Sequence, residues 1–201
     1  MLFLAKGRAP VLFNKLRYDG DWNNCRNDVA NLTRYASKAL EYRFNWQIVD
    51  VKSNAYGWLD APVLFFNGRR GPVRMPEEHR DKIKEYVNHG GLLFAEACEG
   101  RPGFTRVVKQ LGRQIWPDLQ WQRLPDDHPI FTRETQFDLD HKPELQALVD
   151  EKGFAFFLLA PDGISCRWHQ NRTDDRDAFR LGINVFRYAT RGKPIRPRAA
   201  Q

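Results

Sequence analysis

The sequence has no hydrophobic run long enough to cross a membrane. Its opening apolar stretch is interrupted at Lys6, too short for a signal-peptide core or a spanning helix, so the chain as written reads as soluble and unaddressed. Cysteine is scarce. Cys25, Cys98 and Cys166 are an odd number spread along the chain without a CxxC pair, which argues against a disulfide framework and makes reduced thiols the simplest reading. Cys166 and His169 have a ligand-like gap, but no second half-site accompanies them, so neither a metal nor any other cofactor is expected. Glycine-rich phosphate fingerprints of the dinucleotide or P-loop type are also missing, which disfavours the familiar nucleotide enzymes. With no internal repeat and no low-complexity linker, one domain is expected to take up almost everything.

What is present is a chain of 201 residues with 42% hydrophobic residues and six tryptophans. Such a length buries roughly 70% of the unfolded surface, enough for a core that needs no staple. The net charge of +7 suggests nucleic acid until it is located. Residues 187–201 carry five basic side chains and residues 1–17 carry four, with no acid in either segment, so the stretch between them is left at −2. The basicity belongs to the ends and serves solvation, and a nucleic-acid partner is not expected.

Four segments have helical signals. Phe104, Val107, Val108, Leu111 and Ile115 form one face of a helix over 102–116 with Pro102 in its first turn. Val29, Leu32, Ala36 and Leu40 mark a second helix over 26–42, with Asn24 or Asn27 as cap. A third starts at Pro76 and stops at Gly90 and Gly91. The last has Thr173 as candidate cap and ends at Gly192 and Pro194. Between them lie short, nearly continuous apolar runs at 47–51, 62–66, 91–95 and 154–160, the pattern of strands buried on both faces; residues 11–18 are a further strand interrupted by Lys15 and Arg17. The alternation predicts an α/β domain: a three-layer, doubly wound, mostly parallel flavodoxin-like sheet with an irregular β-containing insertion near 118–141.

Ligands of such sheets bind outside the carboxyl ends of the strands, which nominates specific loops. After the first strand come Asp19, Asp21, Trp22 and Asn23; after the third, Asn67 and then Arg69 and Arg70 between glycines; after the fourth, Glu96, Cys98 and Glu99; and after the run at 154–160, Asp162, Gly163, Ile164, Ser165 and Cys166. Arg69 and Arg70 could hold a carboxylate or phosphate bidentately, or pair with Asp19, Asp21 or Glu96. Cys98, between strand and helix, has the setting of a nucleophile elbow, although Glu96 stands where a small residue is usual. Of the five histidines, His169 is the best-placed base for it, whereas His128 precedes Pro129 in a turn. The pairs Asp19/Asp21 and Asp126/Asp127 read as turn-formers rather than as catalytic acids.

The segments LRYDGDWNN, LFFNGRRG, HGGLLFAEACEG, DDHPIF and RLGINVFRYATRG, in this order, resemble a bacterial domain-of-unknown-function family, number 4159. The resemblance spans about residues 10–192 and implies a single domain similar in fold to class I glutamine amidotransferases, followed by a basic tail at 193–201. It implies no established activity, and a cell-envelope or periplasmic setting within larger bacterial proteins. Two departures stand out. Gly68-Arg69-Arg70-Gly71 replaces a Gly-His-Gly, and Glu96-Ala97-Cys98-Glu99-Gly100 with His169-Gln170-Asn171 replaces the amidotransferase elbow and His-x-Glu pair. The glutaminase triad is therefore not recovered. The expectation is a non-catalytic domain binding a small anionic ligand or a protein partner through Asp19, Asp21, Trp22, Asn23, Arg69, Arg70, Glu96 and Glu99. The alternative is a hydrolase or amidase using Cys98 with His169.

Overall fold

The computed structural model describes residues 9–72 and 74–191. The predicted tail at 193–201 and the stop signals Gly192 and Pro194 lie outside them, as do Lys6 and Arg8. Strands β1 (Val11–Arg17), β2 (Asn45–Asp50), β3 (Val63–Gly68), β4 (Leu92–Ala97), β5 (Gln122–Arg123), β6 (Gln146–Val149) and β7 (Ala155–Ala160) form one sheet in the order β2-β1-β3-β4-β7-β6-β5. The chain runs from β1 outward to β2, then crosses back past β1 to β3 and β4. The pairs β1–β2, β1–β3, β3–β4 and β4–β7 are parallel, whereas β6 pairs antiparallel with both β7 and β5. The fold is therefore an α/β domain on a mixed seven-stranded sheet.

Every residue of β3, β4 and β7 is buried, which explains why these strands read as continuous apolar runs instead of alternating ones. Successive residues still separate by face. Val63 and Phe65 pack with Val29, Leu32 and Ala36 of α1 (Asp28–Ala39) and with Phe179 and Ile183 of α5 (Arg176–Ala189). Leu64 and Phe66 pack with Ile83 and Tyr86 of α2 (Glu77–Asn88) and with Phe104, Val108 and Leu111 of α3 (Pro102–Ile115). Each fully buried side chain of this kind contributes roughly 1.5–3 kcal/mol. The edge strand β2 differs from expectation in being largely exposed.

The helix ends are close to those predicted, with informative exceptions. Asp175, not Thr173, caps α5 by accepting the Ala178 N–H, and the side chain of Asn27 makes no cap bond at α1. Gly90, at φ +90, takes the left-handed conformation that ends the segment after α2. The region 118–141 supplies only the two-residue β5, and its TQFDLD segment forms no strand. A longer strand, β6, lies beyond it and stands between β7 and the edge strand β5. The connection between β5 and β6 is held by the buried Asn184 of α5, whose amide donates to the Ile130 and Phe137 carbonyls and accepts the Phe137 N–H. A short helix absent from the sequence reading, α4 (Ile164–His169), follows β7. No helix among the described residues is long and apolar enough to cross a membrane.

Candidate functional site

Because β1, β3, β4 and β7 are neighbours and parallel, their carboxyl ends open on one edge of the sheet. The loop after β1 is drawn to β3 by Tyr18, whose hydroxyl donates to the Asn67 carbonyl at 3.0 Å. Gly68 permits this approach, since a Cβ there would stand 2.5 Å from the Asp21 carbonyl oxygen. Helix α4 is seated by Trp168, fully buried against Phe13, Phe65 and Phe94 with its indole N–H donating to Ala178. Asn31 of α1 donates to the Trp168 and His169 carbonyls, and His169 Nδ1 accepts the Asn27 N–H at 3.2 Å. The start of α1 and the end of α4 are thus locked together.

This locking brings the three cysteines to one point. Cys25 Sγ lies 3.4 Å from both Cys98 Sγ and Cys166 Sγ, and the last two are 3.9 Å apart. All three are reduced. Cys25 and Cys98 are buried, and Cys166 is partly open to solvent. The chain leaves β4 through a tight turn in which Glu99 (φ 58) and Gly100 (φ 64) both take left-handed backbone, a strained choice for glutamate. Gly163 completes the fit. A Cβ there would lie 2.9 Å from the Glu99 nitrogen, so only glycine lets the α4 segment lie against this turn.

The thiols do not share charge equally. Hydrogen bonds from Cys25 and Cys98 hold the Cys166 thiol well below its ordinary pKa, helped by the Glu99 N–H and the nearby His169. The bond to Cys166 pushes Cys25 up, and bonds to Cys166 and Cys25, then burial, push Cys98 up. Of the three, Cys166, the least buried residue, is the one these contacts favour as a thiolate.

Beneath the thiols lies a buried polar chain. Lys15 Nζ donates to both Asp28 oxygens at 2.8 and 2.7 Å and to the Cys25 carbonyl at 2.9 Å. Asn67 donates to Asp28 and to Ser165 Oγ, and Ser165 Oγ donates to Glu96. Burial pushes the Glu96 carboxyl up to about 8, so it is largely protonated at neutral pH. Burial also raises Asp28, against the opposing pull of Lys15.

The residues nominated from sequence are distributed unevenly around this centre. Glu96 is fully buried and bonded to Ser165. Arg69 and Arg70 are exposed, and Arg69 is paired with Glu99, not with Asp19, Asp21 or Glu96. Asp19 is exposed; Asp21 accepts from Asn24 at 2.6 Å, and Asn23 is half-buried. Trp22 packs at the margin of the core, with Lys15 Nζ 6.0 Å from its ring centre. Cys98 is 1% exposed and has thiols, not an imidazole, as hydrogen-bonding neighbours. A groove of about 660 Å³ lies beside α4 and the start of α5; of the nominated loops it takes in only Asp162 and Ile164, and none of the residues expected to bind ligand or catalyse. Several of its charges are already paired, Arg167 with Asp175 and Arg180 with Asp177.

A family model described as a domain of unknown function, DUF4159, matches residues 12–190. The chain belongs to the DUF4159 family. No curated protein matches it. In this DUF4159 domain the three cysteines, spread along the sequence without a CxxC pair, are not isolated: the loops after β1, β4 and β7 gather them into one cluster. Lys15 read only as an interruption of the first strand, and Asn67 and Ser165 only as members of the polar loops after their strands; Asp28 was not singled out, and the buried contacts joining the four were not foreseen. One signal was available: a lysine inside an otherwise apolar strand requires a buried partner, and Asp28 is the acid at the start of the next helix. Another was that Cys98 and Cys166 each follow a buried strand closely.

Proposed function

We propose that the domain is a non-catalytic binding domain on a flavodoxin-like, amidotransferase-like scaffold, receiving its ligand at the carboxyl ends of β1, β4 and β7. The strand sequence β2-β1-β3-β4-β7, parallel throughout, and the separate cores on alternate strand residues support that scaffold. The bacterial envelope setting implied by the sequence resemblance belongs to the same reading.

The observation that carries the binding reading is the convergence of three thiols around Cys98. A catalytic cysteine needs its thiolate formed by a base and its sulfur open to substrate. Cys98 is buried, its thiol is pushed up, and His169 is committed to the Asn27 N–H. The turn after β4 places its left-handed backbone on Glu99 and Gly100, one and two residues past the thiol, where a nucleophile elbow would strain the nucleophile itself. The outward-facing Arg69–Glu99 pair and Trp22 border this end of the sheet and offer contacts for an anionic group or a protein surface.

The test is a pair of measurements on the reduced protein. Incubation with excess p-nitrophenyl acetate should give no stoichiometric acyl burst, and alkylation by iodoacetamide should be fastest at Cys166. A burst abolished by C98A would replace the binding reading with the hydrolase one.

A further inference from the structure

The three sulfur atoms are arranged as ligands of a single ion. Three thiolates on one ion at the zinc–sulfur length of about 2.3 Å stand roughly 3.8 Å apart in a tetrahedral face. The separations here are 3.4, 3.4 and 3.9 Å, so a shift of a few tenths of an ångström accommodates the ion. No other group of three or more His, Cys, Asp or Glu side chains among the described residues comes together in this way. The donor set is all sulfur, because the Nδ1 of the nearby His169 is held by Asn27. Soft thiolates select soft ions over Mg²⁺ or Ca²⁺. An iron–sulfur cluster fits poorly, because its thiolates are divided among two or more irons, so three of them do not all stand as close together as on one ion.

The surrounding residues fix the donors as a metal site requires. Lys15 holds the Cys25 carbonyl, and Gly163 lets the turn after β4 and the α4 segment meet. Cys25 reaches the site from the loop before α1, Cys98 from the end of β4 and Cys166 from α4, so an ion would tie three distant parts of the chain together.

We propose that Cys25, Cys98 and Cys166 form a three-thiolate site for one soft metal ion with a filled d shell, Cu(I) or Zn(II). Its exchangeable coordination position lies on the side of Cys166, the one thiol of the three that solvent reaches. The site rests on the binding reading above and adds a metal ion to what is bound at the carboxyl ends of β1, β4 and β7. On binding, each ligand sulfur that is still protonated releases its proton to solvent, and each of the three gives an electron pair to the ion; no electron is transferred.

The experiment uses the full chain, stripped of metal by a chelator, kept anaerobic with a phosphine reductant and titrated in two arms. Zn(II) is offered in competition with a chromophoric chelator, and Cu(I) in competition with bicinchoninate, with native mass spectrometry counting bound ions. The expected result is one ion per chain in at least one arm, with a sulfur-to-metal charge-transfer band in the Cu(I) arm. C25S, C98S and C166S should each weaken that binding at least about 100-fold. Far-UV circular dichroism reports whether each variant folds, and C166S, at the partly exposed position, keeps the test decisive if a buried variant does not. No stoichiometric binding in either arm, or binding unchanged in folded C166S, overturns the metal site. If binding fails and no acyl burst occurs, the binding reading stands with another ligand; a C98A-sensitive burst removes both.

Discussion

Replacing Lys15 by methionine should expose the energetics of the polar layer beneath the thiols. Lys15 and Asp28 are both about 1% exposed, and Lys15 Nζ makes three contacts of 2.9 Å or less. The substitution leaves the Asp28 carboxylate only the Val29 N–H at 2.6 Å and the Asn67 amide at 3.0 Å. Breaking a buried ion pair from one side costs about 3–5 kcal/mol, most of it the penalty of an uncompensated charge. K15M should therefore lose about 4 kcal/mol in urea denaturation followed by tryptophan fluorescence. The loss should depend on pH in a defined sense. Without Lys15, the Asp28 pKa in the folded state rises further above its ordinary 3.8, so the folded chain binds more protons than the unfolded one and stability falls as pH rises. The deficit should be smallest near pH 4 and grow toward neutrality. K15M/D28N removes both charges, keeps an acceptor for the Val29 N–H, and, with the Asn67 amide flipped, donates to Asn67 Oδ1, which is buried without a partner. It should recover at least about 2 kcal/mol relative to K15M. A K15M cost below about 1 kcal/mol, or a double variant no more stable than K15M, would refute the reasoning.

Three further outcomes follow from the same contacts. G163A places a methyl 2.9 Å from the Glu99 backbone and should destabilise by about 1–3 kcal/mol in the same urea assay while accelerating alkylation of Cys98 as the turn is pushed away. W168A removes the side chain that anchors α4 and should cost about 3–5 kcal/mol; a cost under about 1 kcal/mol would mean that α4 is not held by this ring. Burial holds the His128 imidazole below its ordinary 6.5, and its Nδ1 accepts the Ile130 N–H. The folded state then binds fewer protons, so the His128 contribution is fully present above about pH 6.5 and is lost as pH falls. H128N, which keeps an acceptor but cannot titrate, should lose less stability than the parent between pH 7.5 and 5.5.

The contrast between the legible fold and the hidden site has a physical cause. Strands β3, β4 and β7 were visible because they are buried on both faces and cannot carry polar residues except where a partner waits, as Glu96 has in Ser165. The helices α2 and α3 were visible because Gly90 and Pro102 punctuate them. Strand β5 falls inside the irregular β-containing stretch expected near 118–141, but β6 was missed, because four residues are too few to establish a period. Asp175 displaced Thr173 as a cap because the helix starts two residues later than the first good capping residue. The thiol cluster was hidden for a different reason. Cys25 and Cys166 are separated by 141 positions, and only the neighbouring placement of β1, β3, β4 and β7 makes their loops meet. Local pattern carries no information about which loops converge. Lys15 shows the same limit in reverse. It reads as a fault in a strand until Asp28 is seen beside it.

The central claim is that three thiols meet as one binding centre, and arsenite tests it most directly, because As(III) takes three thiolates with loss of three waters. Intact mass of the reduced protein should gain one arsenic and lose three hydrogens, and after denaturation no thiol should remain open to iodoacetamide. An unchanged mass, or an adduct that leaves any of Cys25, Cys98 or Cys166 free to alkylate, would contradict the account.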